Sequence, residues 1–261
     1  IKMDAQKKSL AQRHSYILER LSKEGEIRVS DLCDELGVSP VTIRKDMKYL
    51  EEKKLLFRTH GSVSLVDPYI TKDVNVIEKE FINVDEKSRI AKKAVSLIEE
   101  NDAIIIASGT TVLFLANMIE AKQQLTVLTS ALNVAIALCK KPNIDIIQLG
   151  GIVRKTSTSV SGPFTQHMLS QFACSKLFLG VDGIDLEYGC TTSNLMEANV
   201  NQSMIAAVQQ TIILADSSKF GKRGFGRICS FDKVNRIITD DKVSENVVKT
   251  LEDMGVMVTI V

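Results

Sequence analysis

The chain has no tryptophan, only three histidines, four prolines and five cysteines in 261 residues, and aromatics make up 5% of it. The cysteines, Cys33, Cys139, Cys174, Cys190 and Cys229, are odd in number and widely spaced, with no Cys-x-x-Cys pair. That pattern argues against a disulfide framework or a zinc knuckle. Thiols in apolar segments read instead as small buried hydrophobes in a reducing cytosol. His14, His60 and His167 are scattered and no His-Glu-x-x-His occurs, so no metal and no cofactor are expected. No apolar run approaches the roughly 18 residues of a membrane span. The first residues, IKMDAQKKSLAQRHSY, are basic but lack an apolar stretch and do not read as a secretory signal. A cytoplasmic protein without a membrane partner is expected. A Walker A motif is missing, as is a Gly-x-Gly-x-x-Gly after a strand, which disfavours a nucleotide ligand.

Neither sign of charge dominates: 33 Lys+Arg stand against 32 Asp+Glu, for a net +1. The balance is uneven along the chain. Residues 1–66 hold 13 basic and 10 acidic side chains, a net +3, and the remainder holds 20 and 22, a net −2. Between Arg44 and Arg58 there are six basic and three acidic residues.

The first 66 residues pattern as three helices and a hairpin. Leu10, Ile17, Leu18 and Leu21 keep helical spacing within 5–22, before Glu24 and Gly25. Ser30 suits the N-cap of a short helix over 31–36, stopped by Gly37. Ser39 suits the N-cap of a third helix, with Pro40 at its first position and Val41, Ile43, Met47 and Leu50 toward the core. Residues 56–66 (LFRTHGSVSLV) are strand-like on both sides of Gly61. Two short helices joined by Gly37-Val38 make a helix-turn-helix, and the hairpin would be its wing. The second helix of such a pair enters the major groove. Ser39, Thr42, Arg44, Lys45 and Lys48 are its DNA-facing candidates, Arg44 being best suited to guanine. Lys53, Lys54, Arg58 and His60 suit phosphates. A charged solvated face is the plain alternative, and charge by itself would favour it. Capped helices, tight turn and wing together favour DNA.

Residues 67–85 are irregular and read as a linker, with room for a short helix at its end. From 86 onward helix and strand alternate. Strands are expected at 103–107, 125–129, 144–149, 176–180, 211–215, 236–238 and 257–260, separated by helices. That alternation predicts a mostly parallel α/β sheet with helices on both faces. Ligands of such sheets sit beyond the carboxyl ends of the strands. Small and polar residues collect at those ends: Ser108-Gly109-Thr110-Thr111, Thr129-Ser130, Gly150-Gly151, the 180–185 loop with Asp182 and Gly183, and Asp216 to Gly221 with Lys219. Each loop is ordinary by itself. Together they describe anion-binding amides, a cation and carboxylates, which suits a phosphorylated, polyhydroxylated small molecule. Lys219 would meet the phosphate and Asp182 the hydroxyls.

Residues 36–51 (LGVSPVTIRKDMKYLE) with 58–63 (RTHGSV) resemble the helix-turn-helix and wing of the DeoR-type bacterial transcriptional regulators. SGTT (108–111), LTVLTS (125–130), LGG (149–151), SGP (161–163), FLGVDGID (178–185), ADSSKFG (215–221) and ITDD (238–241) resemble that family's sensor region, in family order. The resemblance implies a winged helix-turn-helix over 1–66, a linker over 67–85 and an α/β sensor over 86–261 similar to ribose-5-phosphate isomerase. It implies a repressor of carbohydrate metabolism genes that binds double-stranded operator DNA and a phosphorylated sugar, as a homodimer or higher oligomer. Ser108 to Thr111 and Lys219 would hold the phosphate, and Gly150, Gly151, Asp182 and Gly183 would line the rest. Lys45 stands where the family usually has a second arginine. It keeps the charge but loses bidentate geometry, which favours a phosphate contact. The alternative is an isomerase-like enzyme. The stretch after the acidic loop, Leu186 to Thr192, lacks the lysine and glycine run of the isomerases, and nothing in the sequence positions Glu187 or Glu197 as a base. Binding without turnover is therefore expected.

Overall fold

The structure, a computed structural model, describes residues 9–24, 26–53, 55–58, 62–64, 69–70 and 73–261. The chain divides into two compact units, Ile1–Pro68 and Tyr69–Val261.

The smaller unit runs α1 (Leu10–Glu24), β1 (Glu26–Arg28), α2 (Val29–Leu36), α3 (Pro40–Glu52), β2 (Phe57–Arg58) and β3 (Ser62–Ser64). Ile17 and Leu21 of α1, Leu32 and Leu36 of α2, and Ile43, Met47 and Leu50 of α3 meet in one core with Ile27, Leu56 and Val63. The expected hairpin is present as an antiparallel β2–β3 pair, and β1 joins it to give the order β1-β3-β2. Two expectations need correction. The helix α2 begins at Val29 rather than Asp31, because β1 runs directly into it, and Ser30 does not cap it. Val41 is 59% exposed and belongs to the outer face of α3, not to the core.

The larger unit runs β4 (Tyr69–Ile70), α4 (Val76–Glu80), α5 (Val84–Val95), β5 (Ala103–Ile106), α6 (Thr110–Met118), β6 (Leu125–Thr129), α7 (Leu132–Leu138), β7 (Ile144–Gln148), β8 (Ile152–Arg154), β9 (Ser159–Ser161), α8 (Pro163–Leu169), β10 (Cys174–Gly180), β11 (Gly183–Asp185), β12 (Gly189–Thr192), α9 (Leu195–Ala206), β13 (Val208–Leu214), β14 (Arg223–Gly224), β15 (Gly226–Cys229), β16 (Arg236–Thr239), α10 (Glu245–Asp253) and β17 (Met257–Ile260). Seven strands form a parallel sheet in the order β17-β16-β13-β10-β5-β6-β7. These are the seven strands expected from the apolar runs. Adjacent residues alternate between faces: Ile105, Leu177 and Leu179 pack with α8, α9 and α10, whereas Ile104, Ile106 and Phe178 pack with α5, α6 and α7. Burial on both faces explains why the central strand β5 is apolar throughout.

The segment 67–85, expected as a linker, belongs to the larger unit from Tyr69 onward. Its strand β4 pairs in parallel with β14. Its helix α4 is capped by the Asn75 side chain, which accepts from the Ile77 amide. Short strands also appear where loops were expected: the β8–β9 hairpin and a small β11-β12-β15 sheet. Each strand is too short to show a period, and β15 joins β12 from more than thirty residues further along the chain.

The strand order places the topological switch between β5 and β10. From β5 the chain builds outward through β6 and β7, and from β10 outward the other way. A crevice opens where neighbouring connections diverge to opposite faces. The ends of β5 and β10 therefore position the pocket described next.

Candidate functional site

In the smaller unit, Ser39 has an extended backbone and its hydroxyl accepts from the Thr42 amide at 3.3 Å, the expected N-cap. Gly37 ends α2 in a left-handed conformation (φ 63°), which a residue with a Cβ adopts at a cost. The cap and the turn together fix the start of α3. Core residues Ile43, Met47 and Leu50 occupy one side of that helix. Val41, Arg44, Lys45, Lys48 and Tyr49 share the other and are exposed, as their 3- and 4-residue spacing requires. Thr42 is half-buried and its hydroxyl lies 3.0 Å from that of Ser39. Arg44, Lys45 and Lys48 take part in no hydrogen bond or ion pair among the described residues. Three unpaired cations on a helix face suit a polyanion. The Arg58 side chain and His60 lie outside the described residues. Behind the helix, the buried Asp46 carboxylate receives Arg13 at 2.7 and 3.0 Å and lies 3.3 Å from His14, tying α1 to α3.

In the larger unit a cavity of about 60 Å³ lies at the switch point. Of the ten residues expected to bind a ligand, Ser108, Gly109, Thr110, Thr111, Asp182 and Lys219 line it. Gly109 enters α6 with φ 130°, and no side chain caps that helix. The first amides of a helix have no intrahelical acceptor, so they are free to receive an anion. Lys219 lies on a 3-10 turn, Ser217–Lys219, on the same cavity, and makes no ion pair among the described residues.

Ser130, Gly150, Gly151 and Gly183 are not among the cavity's lining residues. For Ser130, Gly151 and Gly183 the surroundings give a packing reason. Ser130 is buried and its carbonyl accepts from Val160. A Cβ on Gly151 would lie 2.2 Å from Thr165 Oγ1, and one on Gly183 would lie 2.4 Å from the Lys222 carbonyl. Gly150 donates its amide to the Met168 sulfur at 3.2 Å.

Several lining residues escaped the sequence reading. Asp73, Val74, Val76 and Lys79 come from the expected linker, Thr156 and Ser157 from the β8–β9 turn, Thr192 from β12 and Glu197 from α9. Lys79 Nζ donates to Asp182 Oδ1 at 2.6 Å. The other Asp182 oxygen accepts from Thr192 Oγ1 at 3.0 Å and the Ser193 amide at 2.9 Å. Burial pushes the Asp182 carboxyl up, but the Lys79 ammonium and the Ser193 amide outweigh it and hold the group at about 2. Glu197, for which the sequence offered no positioning, is held by Ser108 Oγ at 2.9 Å and by Arg154. Burial and then the Asp182 charge raise the Glu197 pKa, against Arg154 and Ser108. Arg154 also donates to Asp73 at 2.6 Å. The pocket therefore combines an open helix end, an ammonium without a partner among the described residues and two carboxylates already held by cations. It can neutralise an anion and accept from hydroxyls.

Among the described residues, no group of three or more His, Cys, Asp or Glu is placed to hold a metal ion. All five cysteines are free thiols, three of them buried. No helix among the described residues is long and apolar enough to cross a membrane.

Two family descriptions match the chain: a DeoR-like helix-turn-helix domain over residues 13–68 and a DeoR C terminal sensor domain over residues 82–241. An uncharacterised HTH-type transcriptional regulator of Bacillus subtilis strain 168, YulB, is 37% identical over 97% of each chain. The lactose phosphotransferase system repressor of Staphylococcus epidermidis is 34% identical over 86% of this chain and 90% of its own. Among solved structures, ribose 5-phosphate isomerase A of Methanocaldococcus jannaschii is similar at a TM-score of 0.40 with 14% identity, over 53% of this chain and 55% of that one.

Proposed function

The chain belongs to the DeoR family of DNA-binding transcriptional regulators, and from that premise we propose that it represses carbohydrate-metabolism genes under the control of a phosphorylated sugar or related metabolite. The observation that carries the effector class is the juxtaposition, in one cavity, of the uncapped α6 N-terminus, the unpaired Lys219, and the carboxylates Asp182 and Glu197. The first two suit a phosphate and the last two suit hydroxyls. A relative named as the repressor of a lactose phosphotransferase system supports the same class. On the DNA side, Arg44 and Thr42 read bases, and Lys45, Lys48, Arg58 and His60 hold phosphates. Pairing of half-sites by a dimer or higher oligomer completes the reading.

Thermal-shift titration of the full chain with ribose 5-phosphate, fructose 6-phosphate and inorganic phosphate tests this, with ribose and fructose as controls. Phosphorylated compounds should raise the melting temperature, and Lys219→Ala should weaken them at least tenfold, about 1.4 kcal/mol. Equal losses for the phosphorylated and plain sugars would mean the anion site is elsewhere. In the same samples, proton NMR should show no aldose–ketose conversion; turnover would favour the isomerase reading.

A further inference from the structure

Among the described residues, Lys219 is one of two ammonium groups on the cavity. The other, Lys79, comes from the stretch through which the chain enters the larger unit. That stretch is fastened along its length. Asp73 is gripped by Arg154 at 2.6 Å and by Thr156 Oγ1 at 3.0 Å. The Val76 amide donates to the Thr156 carbonyl at 2.7 Å. The buried Lys87 ammonium donates to the carbonyls of Lys79 and Ile82 (2.6 Å to the latter), which fixes the end of α4. Asn83 donates to Asp216 at 2.9 Å. The backbone of 73–83 is thus seated independently of the Lys79 ammonium, and the Lys79–Asp182 bond is one contact that a ligand in the cavity reaches directly.

We propose that Lys79 is an effector-binding residue held in reserve by Asp182: an anion entering the cavity takes the Lys79 ammonium, and Asp182 is released toward the ligand's hydroxyls. This rests on the reading of the cavity as a sugar-phosphate site and assigns the exchange that occurs within it. The ammonium has a competing carboxylate in the free protein and a doubly charged acceptor in the bound one. Asp182 keeps two hydrogen bonds, from Thr192 and Ser193, when Lys79 leaves, so it is not stranded. The exchange also gives the effector a differential interaction with the stretch that follows the DNA-reading unit in sequence, which any coupling between the sites requires.

The test is titration of the full chain with inorganic phosphate, followed by thermal shift, in wild type, Asp182→Asn, Lys79→Met, the double variant, Lys79→Arg and Lys219→Met. Asparagine keeps the acceptor for Ser193 but removes the charge that detains Lys79, so Asp182→Asn should bind phosphate roughly fivefold tighter or more. Lys79→Met should weaken binding, and Lys79→Arg, which keeps the charge, should retain it. The decisive comparison is the double variant. If Asp182 acts by detaining Lys79, its substitution should have little effect once Lys79 is gone. If it acts only by repelling anions, the gain is the same in both backgrounds, and the exchange is overturned while the cavity assignment stands. Phosphate binding unaltered by Lys219→Met overturns the cavity assignment itself. Hydrogen exchange by residues 74–82 should change on phosphate addition in wild type and not in Lys79→Met; an unchanged wild type would also overturn the exchange.

Discussion

Burial raises the pKa of both Asp182 and Glu197, and their partners decide where each ends. Asp182 is held at about 2 by Lys79 and the Ser193 amide against its burial. Its contribution to stability is therefore present above about pH 4 and lost as pH falls from there toward 2. Glu197 lies above its ordinary value through burial and then the Asp182 charge. Its contribution has the opposite sign, present in acid and lost as pH rises through its native titration. Asp182→Asn removes the first effect and, by withdrawing a negative neighbour, reduces the second. Denaturant unfolding between about pH 5 and pH 2 should show the wild type losing of order 2 kcal/mol more than the variant. Parallel curves would mean that the Lys79–Asp182 pair does not persist in solution.

At the level of elements, the start of α3 separates stability from the proposed DNA contact. Ser39 caps the helix through the Thr42 amide, whereas Arg44 is exposed on its outer face. Ser39→Ala should cost about 1 kcal/mol in urea unfolding and Ser39→Gly only a few tenths. Arg44→Ala should leave unfolding within about 0.5 kcal/mol and abolish operator selectivity. A loss of stability as large as that of the cap variant would refute the assignment of Arg44 to the outer face. The cap, the turn at Gly37 and the seven sheet strands were legible because each is a local signal: a residue type at a fixed offset, or an apolar run. The β11-β12-β15 sheet was not legible, since its strands are only three or four residues long and its third strand, β15, joins β12 across distant sequence. The pocket divides along the same line. Ser108 to Thr111, Asp182 and Lys219 follow strand ends and could be found there. Lys79 could not, because its partner Asp182 lies 103 residues away and the intervening pattern says nothing of their meeting. Gly151 and Gly183 lie off the cavity, which the sequence does not reveal for a related reason: a glycine that admits a ligand and one that admits a neighbouring chain look alike in sequence.

For the whole molecule, the charge division limits how DNA can be held. Residues 1–66 carry a net +3 within a chain of net +1, so each chain brings a small excess of cations to a polyanion. Lys45 and Lys48, exposed on one helix face and proposed above as phosphate contacts, would reach few phosphates. Each phosphate neutralised contributes roughly −0.9 to the slope of log affinity against log salt concentration. A single DNA-reading segment would then bind weakly at physiological salt, and two held together would bind with the product of their contacts at a high effective concentration. Gel-shift titrations over a range of salt, on operator fragments with one and two half-sites, should give a slope about twice as steep for the two-site fragment. Occupancy of that fragment should rise more steeply with protein concentration than one-to-one binding allows. Replacing Lys48 by Ala should shift affinity on both fragments without altering sequence preference, since a phosphate contact carries no base information. Equal slopes on the two fragments would mean that one chain suffices, and that the small positive excess is not what limits binding.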